Sequence, residues 1–453
     1  MVDMKLPEEV ELLLNILNQN GFSAYVVGGC VRDRLRGVEP HDWDICTSAK
    51  PDDIKQVFSA FRTIDTGISH GTITVVMKEN QYQVTTLRID GDYTDNRHPD
   101  TVSYTDDITK DLSRRDFTIN AMAYSPKIGL VDPFGGKSDI DNKIIRCVGD
   151  PLMRFCEDAL RIMRAMRFAS TLQYEVDDRT HAAIIMSRYR LHNISKERIA
   201  GELNKILLGV NAVPVLMKYT NIITTIIPEF LWSVGFDQKN PHHIYDVYEH
   251  IVRSVGAYDG DDLSVKLALF FHDIGKPFSK TEAPGGVLHF FNHHQKSKEL
   301  AEGILKRLRY DNKTICEVLT LIEWHDRNIA ETTASVKRAM NRIGEKQFDQ
   351  LLAVKFADSA AKEKHSARKG TEKAANLTEI FEDILLQNMC FTVRDMKIDG
   401  NDIIKLGVPT GKKIGEILSM LLGMIIDGKI ENERDALLTE AKYLANHYID
   451  CQK

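Results

Sequence analysis

The stretch VVGGCVRDRLRGVEPHDWDICT, from Val26 to Thr47, joins a short apolar run to two glycines, a charged segment and two aspartates that flank a tryptophan. Glycines between a strand and a helix let the backbone approach a ligand closely, and the helix then offers free N–H groups to an anion. We therefore expect a phosphate-binding turn at Gly28 and Gly29. Arg32, one turn into the helix, would add a guanidinium suited to phosphate oxygens, and Asp33 would hold it in place.

Asp42 and Asp44 are two residues apart in the segment DWDICT, which we predict to be a strand. Both carboxylates then point to one face and Trp43 to the other. Two such carboxylates repel each other unless a cation lies between them, and oxygen ligands suit Mg²⁺. An exposed acidic edge would explain this pair alone. Beside a phosphate-binding turn, however, it matches the arrangement that two-metal phosphoryl transfer requires, with both aspartates catalytic.

The predicted secondary structure changes at Asp150-Pro151. Before this point, short strand patterns such as AYVVGG, TITVVMKEN and YQVTTLRI alternate with helical patterns, which predicts an α/β region. After it, apolar residues recur at helical spacing to the end of the chain. At 453 residues the chain exceeds what one hydrophobic core usually organises, so we expect several domains.

The composition limits the partners. A net charge of −6 means that any contact with nucleic acid is local. One basic run, AKEKHSARKGTEKAA, fits either such a contact or a solvated helix face. We expect a cytoplasmic protein without a membrane partner, because no apolar run approaches the roughly 18 residues of a membrane span and the N-terminus lacks signal-peptide features. Seven cysteines without a C-x-x-C pair argue against a disulfide framework and a zinc ribbon.

GGCVRD followed by DWD closely resembles the head domain of the class II tRNA nucleotidyltransferases and bacterial poly(A) polymerases, which belong to the polymerase-beta superfamily. DLSRRDFTINAMAY, Asp111 to Tyr124, is similar to that family's ribose-recognising motif. The resemblance implies that Arg115 and Asp116 meet the sugar and phosphates of the incoming nucleotide. ISKERIAGELNKIL, Ile194 to Leu207, resembles the motif that braces the neck helices. DGDYTDNRHPDTV resembles the flexible loop of members that add the terminal adenosine.

EDALRIMRAMRF, Glu157 to Phe168, resembles the family's base-reading motif. Asp158 and Arg161 are three apart on a predicted helix and can lie side by side. A carboxylate accepts hydrogen bonds and a guanidinium donates them. Adenine and cytosine each present an amino donor beside a ring-nitrogen acceptor, whereas guanine and uracil present the reverse, so this pair can select A and C without a template. Arg164 and Arg167 continue along the helix towards the triphosphate or RNA phosphates.

One position departs from the family. A third carboxylate usually stands on the strand behind the DxD, in a sequence like EVTTFR, whereas this chain has QVTTLR with Gln83 at that place. An amide cannot act as a general base. Catalysis would then depend on Asp42 and Asp44, with slower turnover or a changed metal preference.

A second constellation occupies the later, helical part of the chain. Its members in order are His250, His272, Asp273, His293, His325 and Asp358. Imidazoles and carboxylates on separate helices can converge on a divalent metal inside a bundle. The order H…HD…H…H…D, with FFHDIGKP, resembles the HD phosphohydrolase superfamily. That resemblance implies a second divalent metal at His250, His272, Asp273 and Asp358, and a secondary phosphohydrolase activity. We predict that His250 ends a helix over HHIYDVYEHI.

The C-terminal segment MKIDGNDIIKLGVPTGKKIGEILSMLL, Met396 to Leu422, resembles the part of the family that meets the acceptor arm of the RNA. Gly400, Gly407 and Gly411 mark helix ends or tight turns whose N–H groups could receive phosphates. Ordinary capped helices would explain them equally well.

Taken over the whole chain, the resemblance implies a multi-domain enzyme. Its parts are a polymerase-beta-like α/β nucleotidyltransferase head (1–150), an all-α neck (151–215), an HD body (216–365) and a helical RNA-binding tail (366–453). The implied activity is template-independent addition of CCA to the 3′ end of tRNA from CTP and ATP, with Mg²⁺ and release of pyrophosphate. Poly(A) polymerase is the rival of the same chemistry, and an HD phosphohydrolase with a vestigial head is the rival from another class.

Overall fold

The structure is a computed structural model and describes residues 4–68, 71–91, 101–238, 244–282 and 288–450. The chain divides into two compact units, Met1–Pro228 and Glu229–Lys453. The first holds an α/β region followed by helices, and the second is built almost entirely of helices, as expected from the sequence. The finer division into head, neck, body and tail stays a prediction. Within the described ranges, no helix combines the length and the apolar character needed to cross a bilayer.

The first unit combines strands and helices, and seven of its described strands form a mixed sheet. Its strands are β1 (Ala24–Val27), β2 (Ile45–Thr47), β3 (Arg62–Gly67), β4 (Thr72–Met77), β5 (Asn80–Thr86), β6 (Arg88–Asp90), β7 (Val102–Tyr104), β8 (Ala123–Ser125), β9 (Gly129–Val131), β10 (Ile144–Ile145) and β11 (Glu175–Val176). Its helices are α1 (Glu8–Gln19), α2 (Gly29–Leu35), α3 (Pro51–Val57), α4 (Ile108–Ser113), α5 (Gly136–Asp141), α6 (Pro151–Glu157), α7 (Leu160–Leu172), α8 (Asp178–Ser187), α9 (Lys196–Leu207), α10 (Ala212–Lys218) and α11 (Thr220–Ile226).

Seven of the described strands form one sheet in the order β3-β4-β5-β2-β1-β8-β9. All four residues of β1 are buried, and β1 pairs antiparallel with β2 and β8. The run YQVTTLRI forms β5, which pairs antiparallel with β4 and parallel with β2. Helix α1 packs its buried apolar face against β1 and α3. The sheet therefore holds the glycine turn after β1 close to the segment that enters β2.

The strand predicted over DWDICT is shorter than expected. It begins at Ile45, so Asp42 and Asp44 lie in the segment that leads into β2. One backbone bond still extends the pairing, because the N–H of Val27 donates to the carbonyl oxygen of Asp44 at 3.0 Å. The predicted alternation of side chains is confirmed, because Trp43 is buried and both aspartates are exposed.

The helix predicted over EDALRIMRAMRF is broken. Helix α6 ends at Glu157, and Asp158 has the extended backbone angles φ −143° and ψ 104°. Its carboxylate accepts a hydrogen bond from the N–H of Leu160 at 2.9 Å, at the start of α7. Aspartate favours such capping contacts over a helix interior, which explains the break.

The second unit is a helical bundle with a small hairpin. Its helices are α12 (Val247–Gly256), α13 (Leu263–Phe271), α14 (His293–Arg307), α15 (Asn312–Trp324), α16 (Thr333–Ile343), α17 (Glu345–Ala360), α18 (Lys364–Leu386), α19 (Gly400–Lys405), α20 (Lys412–Ile426) and α21 (Arg434–Asp450). The hairpin pairs β12 (Thr281–Glu282) with β13 (Leu288–His289). Helix α13 is nearly all apolar and packs against α12, α15 and α17.

Two predictions about ends of helices have different outcomes. The prediction that His250 ends a helix is wrong, because Asp246 accepts a hydrogen bond from the N–H of Glu249 and caps α12, which places His250 in its first turn. The glycines of the tail lie where expected. Gly400 begins α19, Gly407 follows it with φ +89°, and Gly411 precedes α20 with φ +143°.

Candidate active sites

The glycine turn after β1 has the geometry that a ligand-binding turn needs. Gly28 has φ +82°, and a Cβ there would lie 3.0 Å from Nη1 of Arg115 and 3.8 Å from the carbonyl oxygen of Asn120. Only glycine combines this backbone conformation with so close an approach. Arg115 therefore lies directly against the turn, although it comes 87 positions after Gly28 in the chain. The pairing of β1 with β8 brings the two segments together.

Arg32 is held rigidly at the start of α2. Its Nε and Nη2 donate to the two carboxylate oxygens of Asp33 at 2.9 Å and 2.8 Å, as the sequence predicted. Its Nη1 donates to the side-chain oxygen of Asn120 at 2.7 Å. A guanidinium fixed on three nitrogens loses little freedom when it binds an anion, which suits it to a phosphate.

Three arginines surround the buried ring of Phe168. The guanidinium carbons of Arg32, Arg164 and Arg167 lie 5.4 Å, 5.6 Å and 4.2 Å from the ring centroid. Arg164 pairs with Asp116 at 2.6 Å and Arg167 with Glu202 at 2.9 Å. Arg164 and Arg167 of α7 are thus brought next to Arg32, the arginine that follows the glycine turn.

Asp42 and Asp44 are both exposed and lie just before the first residue of β2. Partial enclosure raises the pKa of the Asp44 carboxyl above its usual value; Arg115 opposes this shift and the negative charge of Asp42 adds to it. A carboxylate whose charged form is disfavoured gains from a cation placed beside it. The pair is therefore accessible, and the charged form of the Asp44 carboxyl would be stabilised by a metal ion beside it.

Gln83 occupies the position next to this pair. In the parallel pairing of β2 with β5, Ile45 lies opposite Val84, and both are buried. Asp44 and Gln83 each precede one of these residues, so the pleat places them on the same, exposed face. A carboxylate at residue 83 would therefore lie beside the aspartate pair.

Arg115 and Asp116 have different surroundings. Arg115 is partly exposed beside the turn and donates to Asp111 at 3.3 Å. Asp116 is only 8% exposed and accepts hydrogen bonds from Arg164 at 2.7 Å and from Asn120 at 3.3 Å. Burial would raise the pKa of Asp116, but Arg164 and Arg161 hold it below the usual value. Asp116 thus orients Arg164, while Arg115 stays available to a ligand.

The two residues predicted to read the base, Asp158 and Arg161, are not paired with each other in the manner expected. Arg161 is 9% exposed, and its guanidinium donates to Glu157 at 2.5 Å and to the carbonyl oxygen of Arg114 at 3.2 Å. Asp158 lies outside the helix and accepts from Arg198 of α9 at 2.7 Å and 3.4 Å. The side-by-side placement on one helix was wrong because Asp158 has extended backbone angles and lies between α6 and α7.

Several residues of this site were not identified from the sequence. Asn120, Phe168 and Arg198 each contact one of the predicted residues. All three lie inside motifs quoted above, but their spacing carries no sign of contacts across the fold. The adenosine-associated segment DGDYTDNRHPDTV lies largely outside the described residues, which omit 92–100.

The second unit brings the predicted HD residues together. His250 lies on α12, His272 and Asp273 directly follow α13, and Asp358 lies on α17. Nε2 of His250 is 3.0 Å from Oδ1 of Asp358 and 3.3 Å from Nε2 of His272. Both histidines lie 3.3 Å from Oδ2 of Asp273. All four residues are buried, and their ligand atoms lie within 4.8 Å of one another.

Two lysines complete this environment. Lys276 lies 2.6 Å from Asp273, and Lys362 lies 2.7 Å from Asp358. Lys362, from the basic run AKEKHSARKGTEKAA, is thus directed to the cluster rather than to a solvated face. A cavity of about 390 Å³ opens over the cluster, lined by Asp273, Lys276, Leu288, His289, Phe290, Phe291, Asn292, His293, His294, His325, Asp326, Asp358 and Lys362. The cluster is therefore reachable by a small ligand.

Comparison with known proteins identifies the family. The family model for a poly(A) polymerase head domain matches residues 24–146, an RNA- and SrmB-binding site of polymerase A matches 173–232, and a tRNA nucleotidyltransferase domain 2 matches 286–441. The CCA-adding enzyme of Levilactobacillus brevis is 34% identical over 96% of this chain and 98% of its own length. The chain belongs to the CCA-adding enzymes.

Other members give the same result. The CCA-adding enzyme of a Geobacillus species is 33% identical over 96% of both chains. The crystal structure of the Bacillus stearothermophilus CCA-adding enzyme in complex with CTP superposes with a TM-score of 0.73 at 29% identity, over 99% of this chain and 100% of that one. The Thermotoga maritima CCA-adding enzyme complexed with tRNA, at 20% identity and a TM-score of 0.58, shares the fold over 96% of this chain and 95% of its own.

Proposed function

We propose that this CCA-adding enzyme extends the 3′ end of tRNA by C, C and A, using CTP and ATP and releasing pyrophosphate, in the cytoplasm. The observation that carries the proposal is the meeting of three parts at one end of the sheet. These are the glycine turn at Gly28, the guanidinium of Arg115 against it, and the aspartate pair that enters β2. Family membership supports this assignment over the poly(A) polymerase rival.

Asp42 and Asp44 hold the metal in this proposal. Their exposed carboxylates offer the oxygen ligands that Mg²⁺ prefers. Magnesium bound there would supply charge stabilisation to the attacking 3′-hydroxyl and to the leaving pyrophosphate. Because the third carboxylate is replaced by Gln83, no side chain at that position takes the hydroxyl proton.

The triphosphate is bound by donors around the turn. The backbone N–H groups at Gly28 and Gly29, and the guanidinium groups of Arg32 and Arg115, provide positive charge on the side of the aspartate pair. Arg164 and Arg167 extend this positive surface around Phe168. Binding here would place the α-phosphate beside the metal, which is the positioning that phosphoryl transfer depends on.

The base is read at the break between α6 and α7. Asp158 accepts a hydrogen bond from the amino group of cytosine or adenine, with Arg198 fixing its carboxylate. Arg161 donates to the ring nitrogen only after it turns away from Glu157. Base reading therefore includes a rearrangement of side chains in this chain.

The proposal is tested by incorporation of labelled CTP into tRNA transcripts that lack CCA. Asp44→Asn keeps the shape of the side chain and removes its charge, so we expect at least a hundredfold loss of rate, about 3 kcal/mol of transition-state stabilisation. Asp65→Asn removes an exposed carboxylate from β3 of the same sheet and should keep the wild-type rate. Equal rates in all three proteins would refute the assignment of the metal site.

We also propose that His250, His272, Asp273 and Asp358 bind one divalent cation. The separations between their ligand atoms, from 3.0 Å to 3.4 Å, are those of neighbouring ligands around a single ion. Loss of bound metal in His250→Gln tests this site separately from the transferase.

A further inference from the structure

A groove in the second unit belongs to neither of the sites described above. It lies between α16 and α20, and the segment that follows α15 also lines it. Its volume is about 620 Å³, within the range of about 300–1,000 Å³ that small-molecule sites have. Neither the aspartate pair nor the histidine cluster contributes a residue to its lining. The groove is therefore a separate place where a ligand could bind.

The groove exists because the facing sides of the two helices carry short side chains. Both helices contribute lining residues at the spacing i, i+3, i+4, i+7, which lies on one face of a helix. These residues are Ser335, Arg338, Ala339, Arg342, Ser419, Leu422, Gly423 and Ile426. Half of them are serine, alanine or glycine, which fill little of the space between two helices.

The buried part of the lining is apolar. Ile329, Ala339, Leu422 and Ile426 all line the groove and are only 4–7% exposed. An apolar group of a ligand placed against these side chains would leave water, which favours binding. The groove therefore suits a ligand with an apolar body.

The charged lining residues are all arginines. Arg327, Arg338 and Arg342 line the groove, and its described lining contains no aspartate or glutamate. Arg338 pairs with Asp427, and Arg327 pairs with Glu323 at 2.7 Å. Arg342 is exposed and makes no ion pair within the described ranges. Its guanidinium is thus available to a carboxylate or a phosphate.

One wall of the groove is flat. The guanidinium carbon of Arg327 lies 4.5 Å from the centroid of the Trp324 ring, and both residues line the groove. Asn341, another lining residue, is fixed because its side-chain nitrogen donates to the carbonyl oxygen of Phe391 at 2.9 Å. Planar groups of this kind favour contact with an aromatic ring.

We propose that this groove binds a small organic anion whose flat apolar body carries a carboxylate or a phosphate. The body lies against Ile329, Leu422 and Ile426, and the anionic group accepts hydrogen bonds from the guanidinium of Arg342. The volume and the buried apolar lining match a small molecule, and the positive charge of the lining selects an anion. This inference depends neither on the transfer reaction nor on the histidine cluster.

Gly423 offers a way to fill the groove without disturbing the fold. It lies inside α20, and a Cβ there would meet open space. Because leucine favours a helix more than glycine does, Gly423→Leu should fold and occupy the groove. Gly415 lies in the same helix and also faces open space, but it does not line the groove. Gly415→Leu is therefore the matched control.

The test measures the binding of two anionic probes to the full chain by isothermal titration calorimetry. The probes 1-naphthoate and 1-naphthylphosphonate share one apolar body and differ in the anionic group. A third compound, 1-naphthalenemethanol, has the same body without the charge. Wild type is compared with Gly423→Leu, Arg342→Gln and Gly415→Leu, and each protein is first checked for native thermal unfolding.

We expect wild type and Gly415→Leu to bind at least one anionic probe at a single site with equal affinity. Loss of a hydrogen bond to a charged group weakens binding by about tenfold or more, so Arg342→Gln should show a loss of that size. Gly423→Leu should lose binding to at least the same extent, and wild type should bind the uncharged compound equally weakly. The probe that binds more tightly identifies the preferred anionic group.

Equal affinity of wild type and Gly423→Leu would place the probe elsewhere and overturn the proposal. Failure of wild type to bind either probe would overturn it as well. If Gly423→Leu and Arg342→Gln then also bind tRNA more weakly than Gly415→Leu does, the groove is a surface for RNA. If Gly423→Leu does not fold, the comparison of Arg342→Gln with wild type decides alone.

Discussion

Asp158 owes its position to a residue 40 places further along the chain. The Arg198 guanidinium lies 2.7 Å and 3.4 Å from its two carboxylate oxygens, and the N–H of Leu160 donates to the same carboxylate at the start of α7. Asp158, which we propose contacts the base, is thus held in place by Arg198, which does not contact the base in our proposal. Arg198 is a positioning residue.

Arg198→Gln should therefore lower kcat/KM for CTP and for ATP together, by about 10- to 100-fold. A hydrogen bond to a charged group contributes about 1.5–3 kcal/mol, and 1.36 kcal/mol corresponds to a factor of ten. Arg198→Lys should recover part of the loss. Arg190→Gln, at an exposed arginine of the same unit, is the matched control. A change for one nucleotide only would contradict a shared positioning role.

Gln83→Glu should increase the rate of transfer. The register places residue 83 beside Asp44, and a positioned general base contributes at least about 100-fold where it acts. The gain should be present throughout the neutral range, since an ordinary Glu is ionised above about pH 4.3. Gln56→Glu, on the exposed side of α3, adds the same charge elsewhere and should change nothing. The hypothesis fails if Gln83→Glu gives no gain at any pH.

At the scale of elements, the turn between β1 and α2 joins the substrate site to the sheet. Gly28 adopts φ +82° and ψ −126°, a conformation that side chains rarely tolerate. Its hydrogen also faces Arg115, which a methyl group would displace. The turn therefore couples backbone conformation to the position of a phosphate-binding side chain.

Gly28→Ala should destabilise the first unit by about 1–3 kcal/mol and also raise the KM for nucleotide. Gly201→Ala provides the opposite control. Gly201 lies inside α9 with free space around it, so alanine there should stabilise the helix by about 0.5–1 kcal/mol. The two variants are compared by chemical denaturation and by nucleotide saturation. Equal stability of Gly28→Ala and wild type would show that the turn relaxes.

Elements were predictable from the sequence where a pattern acts locally. The alternation of YQVTTLRI predicts β5, and the glycine pair predicts the turn into α2. The sequence predicted helices that run through Asp158 and Asp246, and both predictions were wrong. An aspartate that receives backbone N–H groups at a helix start cannot be told from one inside a helix by the apolar period alone. Pairings such as Asp158 with Arg198 depend on tertiary packing, which spacing along the chain does not contain.

At the scale of the whole molecule, two compact units carry two different kinds of site. The first unit holds exposed carboxylates beside groups that can donate hydrogen bonds to phosphate. The second holds buried imidazoles beside buried carboxylates. The order of residues along the chain predicted both groups, because the motifs are specific. The contact of Lys362 with Asp358 does not follow from that order.

Metal binding should therefore stabilise the units selectively. A ligand present at 100 times its Kd stabilises the folded state by about 2.7 kcal/mol. Mn²⁺ at that level should raise the unfolding temperature of the unit 229–453, identified by the loss of its shift in His250→Gln. CTP with Mg²⁺ should raise the unfolding temperature of the other unit. Calorimetry in which Mn²⁺ shifts the His250→Gln and wild-type transitions equally would contradict the metal assignment.

The central claim is that this chain builds CCA and then stops. Its most direct test is the length and sequence of the products formed on tRNA transcripts that lack CCA, with all four nucleoside triphosphates and Mg²⁺ present. We predict extension by C, C and A, with no G or U and no further growth. A long tract of A, or incorporation of G and U, would contradict the account.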